Sequence, residues 1–252
     1  GAKMPLKIKM ILENTSKENI TWNLGSVFQG VIMEHIGFEY GEKLHVSELK
    51  PYSQYILNKN GEIQWVINIL NNEAEKNIAD VIASTDFSTI HLEKKNIDLK
   101  IKEKTISKVT YEEIIEKYFF GCQNRIIQFN FITPTSFKSN GEYVFYPTVR
   151  HVFQSLINKF DAFCPEAGVK TETLLDDIET YTKVIGYNLR SVKFSVEGVK
   201  IPSFVGQLQV KITGPQQLVN LLNLIAFFGS FSGVGIKCAM GMGALEIGRE
   251  RE

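Results

Sequence analysis

Residues 6–12 alternate between apolar and polar (Leu-Lys-Ile-Lys-Met-Ile-Leu), the period-two pattern of a half-buried strand. Over residues 27–36 the apolar positions recur at helical spacing instead. Ser26 stands where an N-cap would, and Gly37 and Gly41 are read as closing the helix. Extended runs follow at 51–57 and 62–70. Between them lies Asn58-Lys59-Asn60-Gly61, whose Asn-Gly pair suits a tight hairpin because both residues tolerate positive φ. A helix is predicted over 73–83 and an extended segment over 89–102. This order, β-α-β-β-α-β, is the ferredoxin-like pattern.

The pattern then recurs. A strand is predicted over 125–132, and a long helix over 147–163 with Pro147 near its first turn. Paired strands over 188–196 and 199–212 meet at Glu197-Gly198. A helix over 216–228 follows Gly214-Pro215, and a short strand at 244–247 comes last. The expected fold class is α+β: two tandem ferredoxin-like domains, residues 4–104 and 123–249, joined by a charged stretch at 104–123. A C-terminal glycine-rich loop precedes the last strand.

Composition narrows the function. Lysine plus arginine and aspartate plus glutamate each number 28, so net charge is zero, which argues against an indiscriminate polyanion binder but allows a local basic groove. Cys122, Cys164 and Cys238 are scattered with no CxxC spacing. No zinc site is expected, and the odd count suits a reducing cytoplasm. No signal peptide or membrane-length apolar run is read, and Gly1-Ala2-Lys3 ahead of Met4 is read as a vector-derived extension.

Gly233, Gly235, Gly241 and Gly243 fall within eleven residues around Lys237. Glycine this dense lets backbone N–H groups approach a ligand that a Cβ would block, and successive N–H groups can form an anion-binding concavity. The same glycines could equally make a tight turn feeding an edge strand. Four segments in order carry a family resemblance: Leu44-His45 ahead of Lys50-Pro51-Tyr52-Ser53, Thr133-Pro-Thr-Ser-Phe-Lys138, Val199-Lys-Ile-Pro-Ser-Phe204, and Gly233-Val-Gly-Ile-Lys-Cys-Ala-Met-Gly-Met-Gly243. The chain resembles the CRISPR-associated endoribonucleases of the RAMP superfamily that process precursor CRISPR RNA, most of all their bacterial members.

The resemblance implies metal-independent cleavage of CRISPR repeat RNA, without cofactor. A 2′-OH would attack the adjacent phosphorus, leaving 2′,3′-cyclic phosphate (or 3′-phosphate) and 5′-hydroxyl ends. It implies catalysis by a histidine in the region of His45, with a histidine or tyrosine of the first helix as partner: His35 first, Tyr40 in reserve. Histidine suits this work because its ordinary pKa, near 6.5, lets it give or take a proton at neutral pH. From the residues alone, His45 falls in the loop 41–51, where a histidine is more often merely solvated than catalytic. His35 could instead serve the helix dipole. Lys50 could stabilise the phosphorane or be a surface charge. His91, in an extended run, suits a strand face.

For RNA contacts the candidates are Gly233, Gly235, Lys237, Gly241 and Gly243, with Lys138, Arg150, His151, Arg190 and Lys193 behind them. Arg150 and His151 open a helix whose N–H groups could share a phosphate. Arg190 and Lys193, three apart on a strand, face opposite sides. The expected partner is CRISPR repeat RNA. The resemblance leaves open a homodimer, association with an effector complex, and a non-catalytic RNA-binding subunit as the alternative.

Overall fold

The computed structural model describes residues 5–248, so the extension Gly1-Ala2-Lys3 lies outside the described residues. The first unit starts with strand β1 (Leu6–Asn14), whose inward residues Leu6, Ile8, Met10 and Leu12 are buried. A 3-10 turn, Trp22–Leu24, capped by the Thr21 hydroxyl, leads into helix α1 (Gly25–His35). Ser26 is therefore inside the helix and not its cap. Helix α2 (Phe38–Val46) follows after a two-residue bend. Gly41 does not end a helix: it lies within α2, where a Cβ would make only ordinary contacts with Met33 and Ile36.

Strands β2 (Tyr52–Lys59) and β3 (Glu62–Ile69) form the hairpin read from the sequence. Asn60 (φ 53°) and Gly61 (φ 86°) take the two left-handed positions that a twisted two-residue turn requires. Helix α3 is α-helical over Asn72–Ala74, a π-turn over Glu75–Ala79 and α-helical again over Asp80–Ile82. The segment expected to be one extended run is a hairpin: β4 (Thr89–Leu92) and β5 (Ile97–Lys108), turning through Asn96 in the left-handed region. The charged stretch at 104–123 is not an open link. β5 runs on to Lys108, and helix α4 (Tyr111–Phe119) follows, closed at its start by a capping box between Thr110 and Glu113.

The second unit comprises β6 (Ile126–Thr135), the small hairpin β7 (Phe137–Ser139) and β8 (Glu142–Val144), and helix α5 (Val149–Phe163). Thr148 caps α5, one residue after Pro147. A short amphipathic helix, α6 (Leu174–Tyr181), buries Leu174 and Ile178. Long strands β9 (Thr182–Val196) and β10 (Val199–Ile212), helix α7 (Gln216–Ser232) and β11 (Leu245–Gly248) complete it.

Both sheets are antiparallel. Their orders are β2-β3-β1-β5-β4 and β11-β6-β10-β9. Counting along the chain within each sheet, the first strand lies between the third and the last, and the second strand forms an edge, as in a ferredoxin-like unit. The two-unit fold expected from the periodicity is therefore present. The first core gathers Phe28, Trp65, Ile8 and Met10 and includes Ala239 from the glycine-rich loop. The second gathers Phe129, Phe153, Phe160 and Phe228, together with Tyr111 and Ile114 of α4. Among the described residues no helix is long and apolar enough to cross a membrane.

Candidate functional site

The glycine-rich loop lies where the two units meet. After α7 ends, the chain turns at Gly233 (φ 70°) and Gly235 (φ 81°), forms a 3-10 turn over Cys238–Met240, and leaves through Gly241 (φ 103°) and Gly243 (φ 71°). The glycines answer close packing. A Cβ on Gly235 would overlap the Ser136 carbonyl oxygen, one on Gly243 the Val234 carbonyl oxygen, and one on Gly25 at the start of α1 the Met240 carbonyl oxygen.

Many of the loop's amides are spent on partners within the protein, some inside the loop and some on the segments packed against it. The N–H groups of Val234 and Gly243 donate to Gly243 and Pro134, that of Ile236 to Ser136, and those of Met240 and Met242 to Lys237. Gly235 N–H donates to the Ser155 hydroxyl and Ala244 N–H to the Thr133 hydroxyl. The amides so bonded are not available to an anion. What the loop offers outward is the exposed side chain of Lys237, held in the left-handed region at φ 54°. That backbone state disfavours a residue with a Cβ by about 1–2 kcal/mol.

Beside the loop is a cleft of about 400 Å³. Gln29 of α1, Lys50 and Tyr52 line it from the first unit, Lys159 and Phe163 of α5 from the second, and residues 235–240 close it. Lys159 was missed in the sequence. Its Nζ donates to the Gly235 carbonyl (2.8 Å) and to Cys238 Sγ (3.1 Å), and it is 7 % exposed. A signal existed: Lys159 is seven residues after Val152 and three after Leu156, on the buried stripe of an amphipathic helix. Gln29 Nε2 donates to the Tyr52 hydroxyl (3.0 Å). Burial pushes the Tyr52 pKa up, against the pull of that bond, so the hydroxyl stays neutral.

His45 is not in a loop. It sits in the last turn of α2, exposed, and no described residue holds its ring. Lys50 lies on the cleft wall and also closes that helix. Its ammonium donates to the carbonyls of Leu44 (2.6 Å) and Ser47 (2.6 Å), and over 3.4 Å to that of His45. A cation at a helix C-terminus complements the carbonyl end of the dipole, and partial burial draws the Lys50 pKa below its ordinary value.

His35 ends α1. Its Nδ1–H donates to the Val31 carbonyl (2.7 Å) and its ring packs edge-on against Phe87 (5.0 Å), so only Nε2 is left for chemistry. Neither His35 nor His45 lines the cleft; Lys50 is the residue of that trio which does. Tyr40 is on α2, buried in the first core. Its hydroxyl has no hydrogen-bond partner among the described residues, and burial, then the nearby Glu73 carboxylate, pushes its pKa up. A proton-transfer role for Tyr40 does not fit that position. His91 pairs with Asp98 (2.7 Å) on the surface hairpin.

The secondary candidates are mostly engaged. Arg150 pairs with both Asp176 and Glu179 at 3.1 Å, so its charge is already answered. His151 is hydrogen-bonded to the Thr148 hydroxyl (2.6 Å) with its ring against Phe137. Lys138 extends over the Tyr143 ring at 5.4 Å. Arg190 and Lys193 sit exposed on the edge strand β9, opposite Val205 and Pro202, with no register shift between them, and face opposite sides. Arg150→Ala is therefore expected to leave affinity for any polyanion within about twofold, as for a surface ion pair worth little. Equilibrium binding to repeat RNA checks it.

The family model for the CRISPR-associated endoribonuclease Cas6 matches residues 129–245. The chain is 31% identical over 229 residues to the CRISPR-associated endoribonuclease Cas6 of Mycobacterium tuberculosis, covering 89% of this chain and 71% of that one. It is 28% identical over 233 residues to the Cas6 endoribonuclease of Streptococcus thermophilus, covering 91% and 93%. In fold it is similar to a Thermus thermophilus Cas6 product complex, with a TM-score of 0.80 at 20% identity over 98% of this chain and all of that one.

Proposed function

The chain belongs to the Cas6 family of CRISPR-associated endoribonucleases, and from that premise we propose that it cuts CRISPR repeat RNA by metal-independent attack of a 2′-OH on the adjacent phosphorus. The observation that carries this reading is the convergence of Lys50, Lys159 and Lys237 on one cleft, beside the helix end that bears His45. The exposed Lys237 would hold the phosphate backbone, with the charges of Lys50 and of the buried Lys159 behind it. His45, unheld at the surface, would take the 2′-OH proton or give one to the leaving 5′ oxygen. His35 would act as its partner through Nε2. Lys50 would support charge developing on the phosphorane while closing the helix that carries His45. The product would be a guide RNA with a 2′,3′-cyclic phosphate (or 3′-phosphate) on the upstream piece and a 5′-hydroxyl on the downstream one.

The test uses labelled repeat RNA in EDTA, with a matching RNA carrying one 2′-deoxy substitution at the cut site. Expected is cleavage of the all-ribose RNA alone, with ends that resist direct 3′ ligation until the phosphate is removed. Cleavage of the 2′-deoxy RNA, or loss of activity on chelation, would sink the mechanism. Binding of both RNAs without cleavage of either would favour a non-catalytic RNA-binding subunit. The reading includes transfer of the product to a CRISPR effector complex and allows a homodimer; the mass of the RNA complex in solution separates one protein copy per RNA from two.

Lys237 gives a second expected result. Lys237→Gly should leave thermal stability within about 1 kcal/mol, since glycine relieves the left-handed backbone but loosens the unfolded chain. The same change should weaken RNA binding and lower the slope of log K against log salt by about 0.7, the share of one single-strand phosphate contact. An unchanged slope would remove Lys237 from the interface.

A further inference from the structure

The glycine-rich loop does not merely abut the first unit. It straddles the edge of the first sheet. β2 is that edge strand, and successive residues of a strand point to opposite faces. On one face Ser53 Oγ donates to the Phe231 carbonyl (2.6 Å), in the last turn of α7, just before the loop begins. Its cross-strand partner Asn68 supports it, with Nδ2 on Ser53 Oγ at 3.1 Å. On the other face Gln54 Nε2 donates to the Ala239 carbonyl (3.0 Å), beyond Lys237, and to the Gly25 carbonyl (2.7 Å) at the start of α1. Its Oε1 accepts from the Trp65 indole (2.9 Å). Gln54 is fully buried and Ser53 is 4 % exposed.

Two adjacent polar side chains, in a strand otherwise suited to apolar packing, are thus both aimed at backbone carbonyls of the other unit. Those carbonyls bracket Lys237 on its two sides. Each carbonyl would be left without a partner if its donor were removed, and an unpaired buried polar group is disfavoured.

We propose that Ser53 and Gln54 are positioning residues: they clamp both ends of the glycine-rich loop onto opposite faces of the edge strand and so hold Lys237 over the cleft. The consequence for RNA rests on the function proposed above; the clamp itself does not. Neither residue touches the cleft, so they act through the loop.

The test compares Ser53→Ala and Gln54→Met with the intact protein. Lys237 is itself a trypsin site, and Lys59 at the far end of β2 is an exposed reference. Both variants should be cut after Lys237 about tenfold faster, with cutting after Lys59 within about twofold, because only the loop opens. Affinity for the uncleavable 2′-deoxy repeat RNA should fall about tenfold. Adding Lys237→Ala to either variant should weaken it by much less than Lys237→Ala weakens the intact protein, the mark of groups acting as one unit. Unchanged trypsin cutting after Lys237, equal acceleration after Lys59, or fully multiplicative losses would overturn the clamp. If Gln54→Met fails to fold cooperatively, Ser53→Ala, a one-atom deletion, decides alone. An intact protein that binds repeat RNA without cutting it would remove the cleavage mechanism but leave the clamp to stand or fall on proteolysis and affinity.

Discussion

His45→Ala should abolish most cleavage, slowing single-turnover cutting of repeat RNA about 10²–10⁴-fold, the usual contribution of a positioned acid or base. Affinity for the 2′-deoxy RNA and thermal stability should hardly move. The imidazole is exposed at the end of α2 with no described residue holding it, so the substitution breaks no packing and stays within about 0.5 kcal/mol of the intact protein. His35→Ala is a useful contrast. Its ring is tied to the Val31 carbonyl and packed on Phe87, so some stability is expected to go with it, whatever happens to the rate. Full activity in His45→Ala, with activity lost in His35→Ala at equal folded fraction, would move the chemistry to His35.

Gly243→Ala carries the largest expected effect on stability. Gly243 has φ 71°, and an added Cβ would overlap the Val234 carbonyl oxygen and come within 2.9 Å of Cys238 Sγ. The left-handed backbone disfavours alanine by about 1–2 kcal/mol, and forced overpacking adds about 1–3. A total near 2–5 kcal/mol corresponds to a Tm roughly 5–15 °C lower for a chain of this size. The obstruction is backbone, which cannot rotate away, and the same segment accepts Val234 N–H and donates to Pro134. Gly30, in the middle of α1, is the control of opposite sign. A Cβ there meets nothing within 4 Å, so Gly30→Ala should stabilise by about 0.5–1 kcal/mol through helix propensity alone. Thermal melts of the two variants, side by side, check both; equal shifts would mean that the loop is far more pliable than its contacts indicate.

Much of the fold was readable because local periodicity and turn chemistry are properties of neighbouring residues. The alternation of β1, the Asn60-Gly61 turn and the boundaries of β10 needed no tertiary information. The misreadings have local causes too. Gly41 looked like a stop, yet a helix tolerates a glycine at modest loss, so α2 carries on to Val46 and takes His45 with it. Ser26 looked like a cap, but Thr21 caps a preceding 3-10 turn and the helix is already under way at Gly25. α6 is eight residues long, too short for its two buried positions to show as a period.

The site divides differently. The sequence by itself determined that this chain builds two ferredoxin-like units, that glycines crowd around Lys237, and that only four histidines are on offer, of which the family resemblance singled out His35 and His45. Those are facts of spacing and of residue type. Which groups are free to act was decided only in three dimensions, because a charge or an amide is available only if nothing nearer has claimed it. Asp176 and Glu179 claim Arg150 from another helix. Carbonyls of the loop and of residues 134 and 136, with the hydroxyls of Ser155 and Thr133, claim many of the amides that its glycines seemed to promise. Lys159 reaches the cleft because α5 lies against the loop, 76 residues further along the chain. Ser53 and Gln54 find their carbonyl partners 178 and 185 residues away. Hydrogen bonding is short-ranged in space and indifferent to distance along the chain, so such pairings leave no trace in local pattern.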